Sequence, residues 1–585
     1  MKTRQELYGT EQPPVSNQPF LRSPWSFSYQ TGALRHIKIN GSEAIRGISF
    51  LIRDRDWGTL DPELENEKIL QTASALSISY DAVFHNQDAR LDVRITIIVK
   101  PDCLTVTAKG CASGAFETNR AGFTVLHPIC DVAGHNVTVD HSDGTREETT
   151  FPDFIEPWQP FVDITALTHR VNDLSVTCQF QGDTFEMEDQ RQWGDASFKT
   201  YNRPLAKPWP YKIEDGSVLE QSVCLTWSAC DKAPSGLKKS SILEANFPEM
   251  ALVMTPDDAE RLAKNPSDLA AIKPQRLLCH FDTVLGHTSA QFQAFAKAQA
   301  AFPKVRFDLE LICKCDPEPR PELYALAGEM QAAGFNPASV LVCPSVDRQS
   351  TPPGSDWPDC PPLERVHQAA SLAFVGVVRG GGMVSFFPEL NRKRPPVHLL
   401  DFVSHGLCPI VHAADDISVM ETLETIPHIT RSMRAIIGET PYRIGPATLA
   451  MRQNPYGERT IPNPHDQRIC MTDDDPRHRG DFAAAYVIGL ATVLAPAEIA
   501  VWTPAALYGH RGVVADKGQW PITKALKCLA SLAGQPVFSA ECADGLAQLW
   551  VGKTRLTKLN KRIAPTPTRP QFYTAKVSPE DDYMF

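Results

Sequence analysis

RLLCHFD (Arg276–Asp282), a helical pattern over residues 290–302, and RFDLELI over residues 306–312 are the three consecutive pieces that decide the fold. Each apolar run is too short for a helix, and the amphipathic stretch between them is long enough to cross a sheet. Parallel strands need such a crossover of a dozen or more residues, so this is a parallel β-α-β unit. Working outward, the same alternation places strands at 250–254, 340–343, 375–378, 398–402, 409–412 and 498–502, with helices at 256–269, 321–333 and 521–533. Eight strands alternating with helices over about 250 residues predict a (β/α)8 TIM barrel.

Upstream the period changes from 3.6 to two. LDVRITIIV (91–99), the turn Lys100-Pro101-Asp102, CLTVT (103–107), NDLSVTCQF (172–180) and QSVCLTW (221–227) alternate polar and apolar side chains between Pro, Gly and Asp breaks. That pattern predicts antiparallel strands in a β-sandwich. The break at Ala233-Pro234-Ser235-Gly236 ends it, and short strands return at 546–551 and 554–557, with an extended segment from Pro565. The expected division is an N-terminal β-sandwich at 1–240, a barrel at 241–534 and a small C-terminal β domain at 535–585.

The 585 residues carry 58 Lys and Arg against 69 Asp and Glu, a net charge of −11. An acidic chain has no field to hold a phosphate backbone, so nucleic acid is not the expected partner. Residues 1–20 hold no signal-peptide core and no apolar run approaches about 18 residues, so neither secretion nor a membrane is expected. Fifteen cysteines scattered through apolar runs (Cys224, Cys279, Cys343, Cys408, Cys528) look like reduced core thiols, which points to the cytoplasm. The lone Cys313-x-Cys315 lacks the second pair a structural zinc needs, and no metal or other cofactor is expected. Proline outnumbers glycine, 48 to 34, which implies stiff, defined loops. No G-x-S-x-G, H-E-x-x-H, P-loop or G-x-G-x-x-G motif is present.

A barrel's site lies at the carboxyl ends of its strands, so polar residues just after apolar runs are the candidates. These are His280 and Asp282, Lys314, Arg379 with Gly380-Gly381-Gly382, Glu389 with Asn391 and Arg392, Asp401 with His405, and His412 with Asp415 and Asp416. The glycines would bring backbone N–H groups to a ligand, or form a turn with Glu389 paired to Arg392 or Arg394. Asp415 is read as a site carboxylate and Asp416 as the cap of the helix that follows. Trp502 would floor a sugar face. Arg452 and Asn454, with Tyr456, sit in a proline-flanked loop suited to oxyanion contact or to scaffolding. Residues 185–201 crowd Glu188, Asp189, Arg191, Asp195 and Lys199 among aromatics, either a structural hinge or a wall of the pocket.

Six blocks carry a family resemblance: GISFLIRDRDWGT (47–59), RAGFTVLHP (120–128), FPDFIEPWQPF (151–161), FEMEDQRQWGDASFKTYNRPLAKPWPY (185–211), ELNRKRPP (389–396) and PIVHAADDISVMETLE (409–424). Together they resemble the bacterial D-apionate lactonases. The resemblance implies an N-terminal β domain, a TIM barrel and a small C-terminal domain, and hydrolysis of the sugar lactone D-apionolactone to D-apionate in apiose breakdown. Opening a lactone needs a base for water and donors for the developing oxyanion. On the residues, Glu389 or Asp415 is the expected base, His412 its partner in proton transfer, and Arg379 the group polarising the carbonyl. Asn391, His280, Asp282, Asp401, Arg452, Asn454 and Trp502 are expected to bind substrate. A glycoside hydrolase using two carboxylates at the mouth, or a non-catalytic carbohydrate binder, is the alternative.

Overall fold

The structure, a computed structural model, describes residues 2–55, 57–86, 88–230, 245–456, 459–515, 518–541, 547–551, 554–558 and 576–578. The expected break at 233–236 and the extended segment at 565–573 lie outside them. The chain forms two compact units. Residues 14–192 and 196–237 make one, and residues 1–13, 193–195 and 238–585 make the other.

The first unit is built from antiparallel sheets of seven and nine strands. Ala89–Val99 pairs with Leu76–Asn86 on one side and with Cys103–Ser113 on the other. Its alternate residues Leu91, Val93, Ile95 and Ile97 are buried, as period two requires. They share one core with Ile45, Ile48, Ile52 and Phe123 of the seven-stranded sheet, so the two sheets pack face to face as a sandwich.

In the second unit eight parallel strands close a barrel: β1 (Glu249–Met254), β2 (Arg276–Asp282), β3 (Arg306–Cys313), β4 (Ser339–Pro344), β5 (Val378–Phe386), β6 (Phe402–Leu407), β7 (Tyr442–Ala447) and β8 (Ile499–Ala506). A five-stranded sheet that includes Pro536–Glu541 and Ala547–Val551 adds to this unit. The first four strands match the sequence reading closely. The later ones do not. Residues 409–412 are a loop, and YRIGPA of β7 was hidden by its Gly-Pro pair.

The three glycines also change meaning, because they lie inside β5 and neither approach a ligand nor form a turn. A Cβ on Gly380 would strike the Phe402 ring, and one on Gly382 (φ 115°) the Ser404 carbonyl. Close strand packing excludes side chains there.

The amino-terminal end of the barrel is plugged by charge. Arg276 Nη1 donates to Asp308 Oδ1 (2.9 Å), Ser339 Oγ donates to the same oxygen (2.6 Å), and Arg443 Nη1 donates to Ser339 Oγ (2.8 Å) while its guanidinium covers the Phe402 ring. Burial, opposed by Asp308, pulls the Arg443 guanidinium down to about 10. A cavity of only about 20 Å³ remains within the barrel at the level of Glu310, Leu341 and Thr503. That is the room of a single water, too small for a sugar lactone.

Candidate active site

Two histidine–carboxylate pairs stand at the carboxyl-terminal side of the barrel. His280 (β2) and Glu310 (β3) are register partners facing inward, and His280 Nδ1 lies 2.8 Å from Glu310 Oε1. Arg452, in the loop after β7, donates Nη1 to the same Oε1 (2.7 Å) and Nη2 to the Val384 carbonyl (2.5 Å). Burial alone would raise the Glu310 carboxyl, but Arg452 and His280 overcome it and hold it down at about 2. Asp282, at the end of β2, accepts from the backbone N–H groups of Val284 (2.8 Å) and Leu285 (3.4 Å) and from Arg348 Nη1 (2.7 Å).

The second pair joins residues 217 positions apart. His412, in the loop after β6, places Nδ1 2.6 Å from Asp195 Oδ2. Asp195 belongs to a three-residue piece, Trp193–Asp195, that clusters with the barrel although its neighbours in sequence belong to the sandwich. Trp193 meets the His412 ring edge-on at 5.8 Å and the Tyr456 ring at 5.4 Å. Among the described residues, Asp195 makes no bond except the one to His412.

The loop at 451–456 spans both pairs. Arg452 reaches Glu310, Gln453 donates its amide to the Arg348 carbonyl, the Pro455 carbonyl accepts from Ser350 N–H (2.7 Å), and Tyr456 packs on Trp193. Asn454 is scaffold, since Oδ1 accepts from Tyr456 N–H and Nδ2 donates to the Arg459 carbonyl. Glu389 sits in the first turn of α1 (Phe387–Lys393), 1% exposed, where Oε2 accepts from Thr351 N–H (3.1 Å). Burial pushes its carboxyl up. Asn391, on the same helix, is buried and accepts from Arg394. Lys314 is exposed.

Five expectations change. Asp415 is the N-cap of α2 (Asp416–Ile437), with Oδ1 accepting from Ile417 and Ser418 N–H and Oδ2 from Ser418 Oγ. Its role is local, because an N-cap side chain satisfies the helix's orphan donors. Asp416, expected to cap, is instead salt-bridged to Arg468 (2.8 Å) and Arg477 (3.1 Å). Arg379 and Asp401 stand at the amino-terminal ends of β5 and β6, joined through Arg379 N–H and Asp401 Oδ2 (2.8 Å), on the face of the barrel opposite the mouth. The strands run on beyond them, so neither ends one. Trp502 likewise lies midway along β8, fully buried and edge-on to Phe247, which precedes β1.

His405 is a core histidine between Tyr442 Oη (2.6 Å) and the Gly406 carbonyl (2.9 Å), pulled down to about 4 by burial. Cys343 is buried and its thiol is pushed well up, which removes it as a nucleophile. Cys279 and Cys408 are core thiols as expected, whereas Cys528 is exposed. In the 185–201 segment, Asp189 and Arg191 form a fully buried ion pair backed by the Pro152 carbonyl (2.8 Å), so this part is structural.

Sequence reasoning passed over Glu310, Arg348 and Asp195 as site groups. Glu310 left a legible signal, an acid in phase with Asp308 and His280 on inward strand positions. Asp195 left none that connects it to His412.

Family models describe two parts of the chain: the D-apionate lactonase N-terminal domain matches residues 5–230, and the D-apionate lactonase TIM barrel domain matches residues 250–534. A D-apionate lactonase of Brucella anthropi is 44% identical over 547 residues, 90% of each chain. Among solved structures, a GH36 alpha-galactosidase of Geobacillus stearothermophilus is 9% identical over 94% of this chain and 93% of its own, at a TM-score of 0.28. An Escherichia coli K12 protein described as a putative aldose 1-epimerase is 9% identical over 37% of this chain and 99% of its own, at 0.25.

Proposed function

The chain belongs to the D-apionate lactonase family, and from that premise we propose that it opens D-apionolactone to D-apionate with His412 as general base and Asp195 as the group that orients it. His412 takes a proton from water, whose oxygen adds to the lactone carbonyl carbon. As the tetrahedral intermediate collapses, the bond from that carbon to the ring oxygen breaks. The imidazolium returns its proton to the ring oxygen, which leaves as the new hydroxyl, and the carboxylic acid so formed loses its remaining proton to solvent to give the product carboxylate. The Asp195 carboxylate fixes the Nδ1–H tautomer and offsets the imidazolium charge at the moment it forms.

The observation that carries this reading is the 2.6 Å bond between His412 Nδ1 and an Asp195 carboxylate that serves nothing else among the described residues. Arg452, with two of its five N–H groups committed in the known bonds, is assigned to the developing oxyanion. His280, Glu310 and Asp282 are assigned to the sugar hydroxyls. Glu389 is too enclosed to meet a substrate and is assigned to holding the 350–351 turn against the 451–456 loop.

Residues 241–534 thus carry the chemistry, completed by Trp193–Asp195 from the segment 1–240, with 535–585 as an appendage. No helix among the described residues is long and apolar enough to cross a membrane. The buried thiols Cys279, Cys343 and Cys408 support a cytoplasmic, reducing location.

Proton release on D-apionolactone tests the assignment. H412N should cut kcat by at least about a hundredfold, the scale of a lost general base. Turnover within about threefold of wild type would refute His412, though not the activity.

A further inference from the structure

Among the described residues, the sandwich unit holds a buried guanidinium with no carboxylate partner. Arg120 is 7% exposed, its Nε is enclosed without an acceptor, and it lies over two rings, Tyr201 at 3.8 Å and Trp57 at 5.4 Å. Arg203 repeats the pattern, lying 4.2 Å over the Tyr211 ring with its own Nε enclosed and unsatisfied. Tyr211, which Arg203 covers, is the register partner of Thr118, two residues before Arg120, so the two cations share one neighbourhood.

Carboxylates nearby are committed elsewhere. Glu186 accepts from Tyr201 Oη (2.6 Å) and Leu205 N–H (2.8 Å), Glu188 pairs with Lys199, and Asp183 accepts from Asn202 Nδ2 (2.8 Å). Trp57 and Trp209, half-buried and edge-on at 5.2 Å, supply aromatic faces beside the cations. An uncompensated fork donor next to aromatic rings fits a ligand with a carboxylate head and a polyol body.

We propose that the Arg120–Arg203 cradle of the sandwich binds a sugar acid of the aldonate class. The choice of an aldonate rests on the lactonase reading, whose product is one. The cradle itself does not.

Sodium gluconate, an aldonate, is titrated into the full chain at constant ionic strength and read by calorimetry and by melting temperature. Wild type should bind and be stabilised, because a ligand of the folded state raises its melting point. R120M and R203Q should each weaken binding by at least about tenfold, the worth of one charge-assisted contact. Without gluconate, R120M should melt no lower than wild type, since it removes an uncompensated buried charge. Absence of binding by wild type, or binding that neither substitution alters, overturns the proposal. So does an R120M that melts lower while R203Q binds normally, because Arg120 is then structural. If wild type binds gluconate through the cradle yet opens no lactone, the reading of the reaction fails and the site stands.

Discussion

The pairs His412–Asp195 and His280–Glu310 use the same two side-chain types and differ in how the carboxylate is spent. Asp195 gives its charge to one imidazole, whereas Glu310 divides its charge between an imidazole and Arg452, which together hold its carboxyl low against burial. A dedicated carboxylate orients its histidine where a base is needed and offsets the imidazolium that forms. A carboxylate already neutralised by arginine makes a rigid acceptor for hydroxyls and a poor partner for a transient imidazolium. On the proposed assignment, the same mouth separates proton transfer from sugar binding.

The sharpest break of that comparison is D195N. It keeps the shape of the pair and removes the charge, so kcat should fall by about 10²- to 10⁴-fold with KM within about threefold in a proton-release assay. A matching loss in KM alone would move Asp195 to the binding side.

E310Q attacks the other pair and should act first on folding. It strands Arg452 beside a neutral amide, and breaking a buried ion pair from one side costs about 3–5 kcal/mol by urea unfolding. Because the folded carboxyl lies near 2 against an ordinary 4.5, its stabilisation is complete above 4.5 and disappears as pH falls through about 2. The gap between wild type and E310Q should therefore close on acidification, and a gap independent of pH would contradict the Arg452 assignment.

Two smaller effects separate capping and enclosure from chemistry. D415A should cost about 1 kcal/mol, the worth of an N-cap, with kcat changed less than threefold or so. Glu389 is raised by burial, so its charged form opposes folding above pH 4.5. E389Q, which keeps an acceptor for Thr351 N–H, should gain under about 1 kcal/mol as pH rises through that value. A hundredfold loss of turnover in E389Q would return the role of base to Glu389.

How much of this was legible follows strand by strand. β2 and β3 were readable because two short leucine- and phenylalanine-bearing runs flank a stretch long enough for a crossover helix, which leaves one interpretation. The second half of the barrel was not, because β5 contains Gly380-Gly381-Gly382 and β7 contains Gly445-Pro446, residues that signal turns locally. Packing against Phe402 and Ser404 overrides that local signal. The error then shifted the strand ends, which is why Arg379, Asp401 and Trp502 were expected at the mouth. His280, Asp282 and Arg452 lie where their strand or loop was expected, whereas His412 reaches the same side of the barrel from a loop at 409–412 where a strand was expected. Asp195 could not be found by any local rule, since only tertiary folding brings residue 195 to residue 412.

The most direct test sets H412N beside H280N in one proton-release assay on D-apionolactone, with kcat and KM resolved separately. H412N should lose kcat by at least about a hundredfold at near-normal KM, and H280N should raise KM by about tenfold with the smaller change in kcat. The reverse pattern, with H280N inactive and H412N turning over normally, would contradict the account.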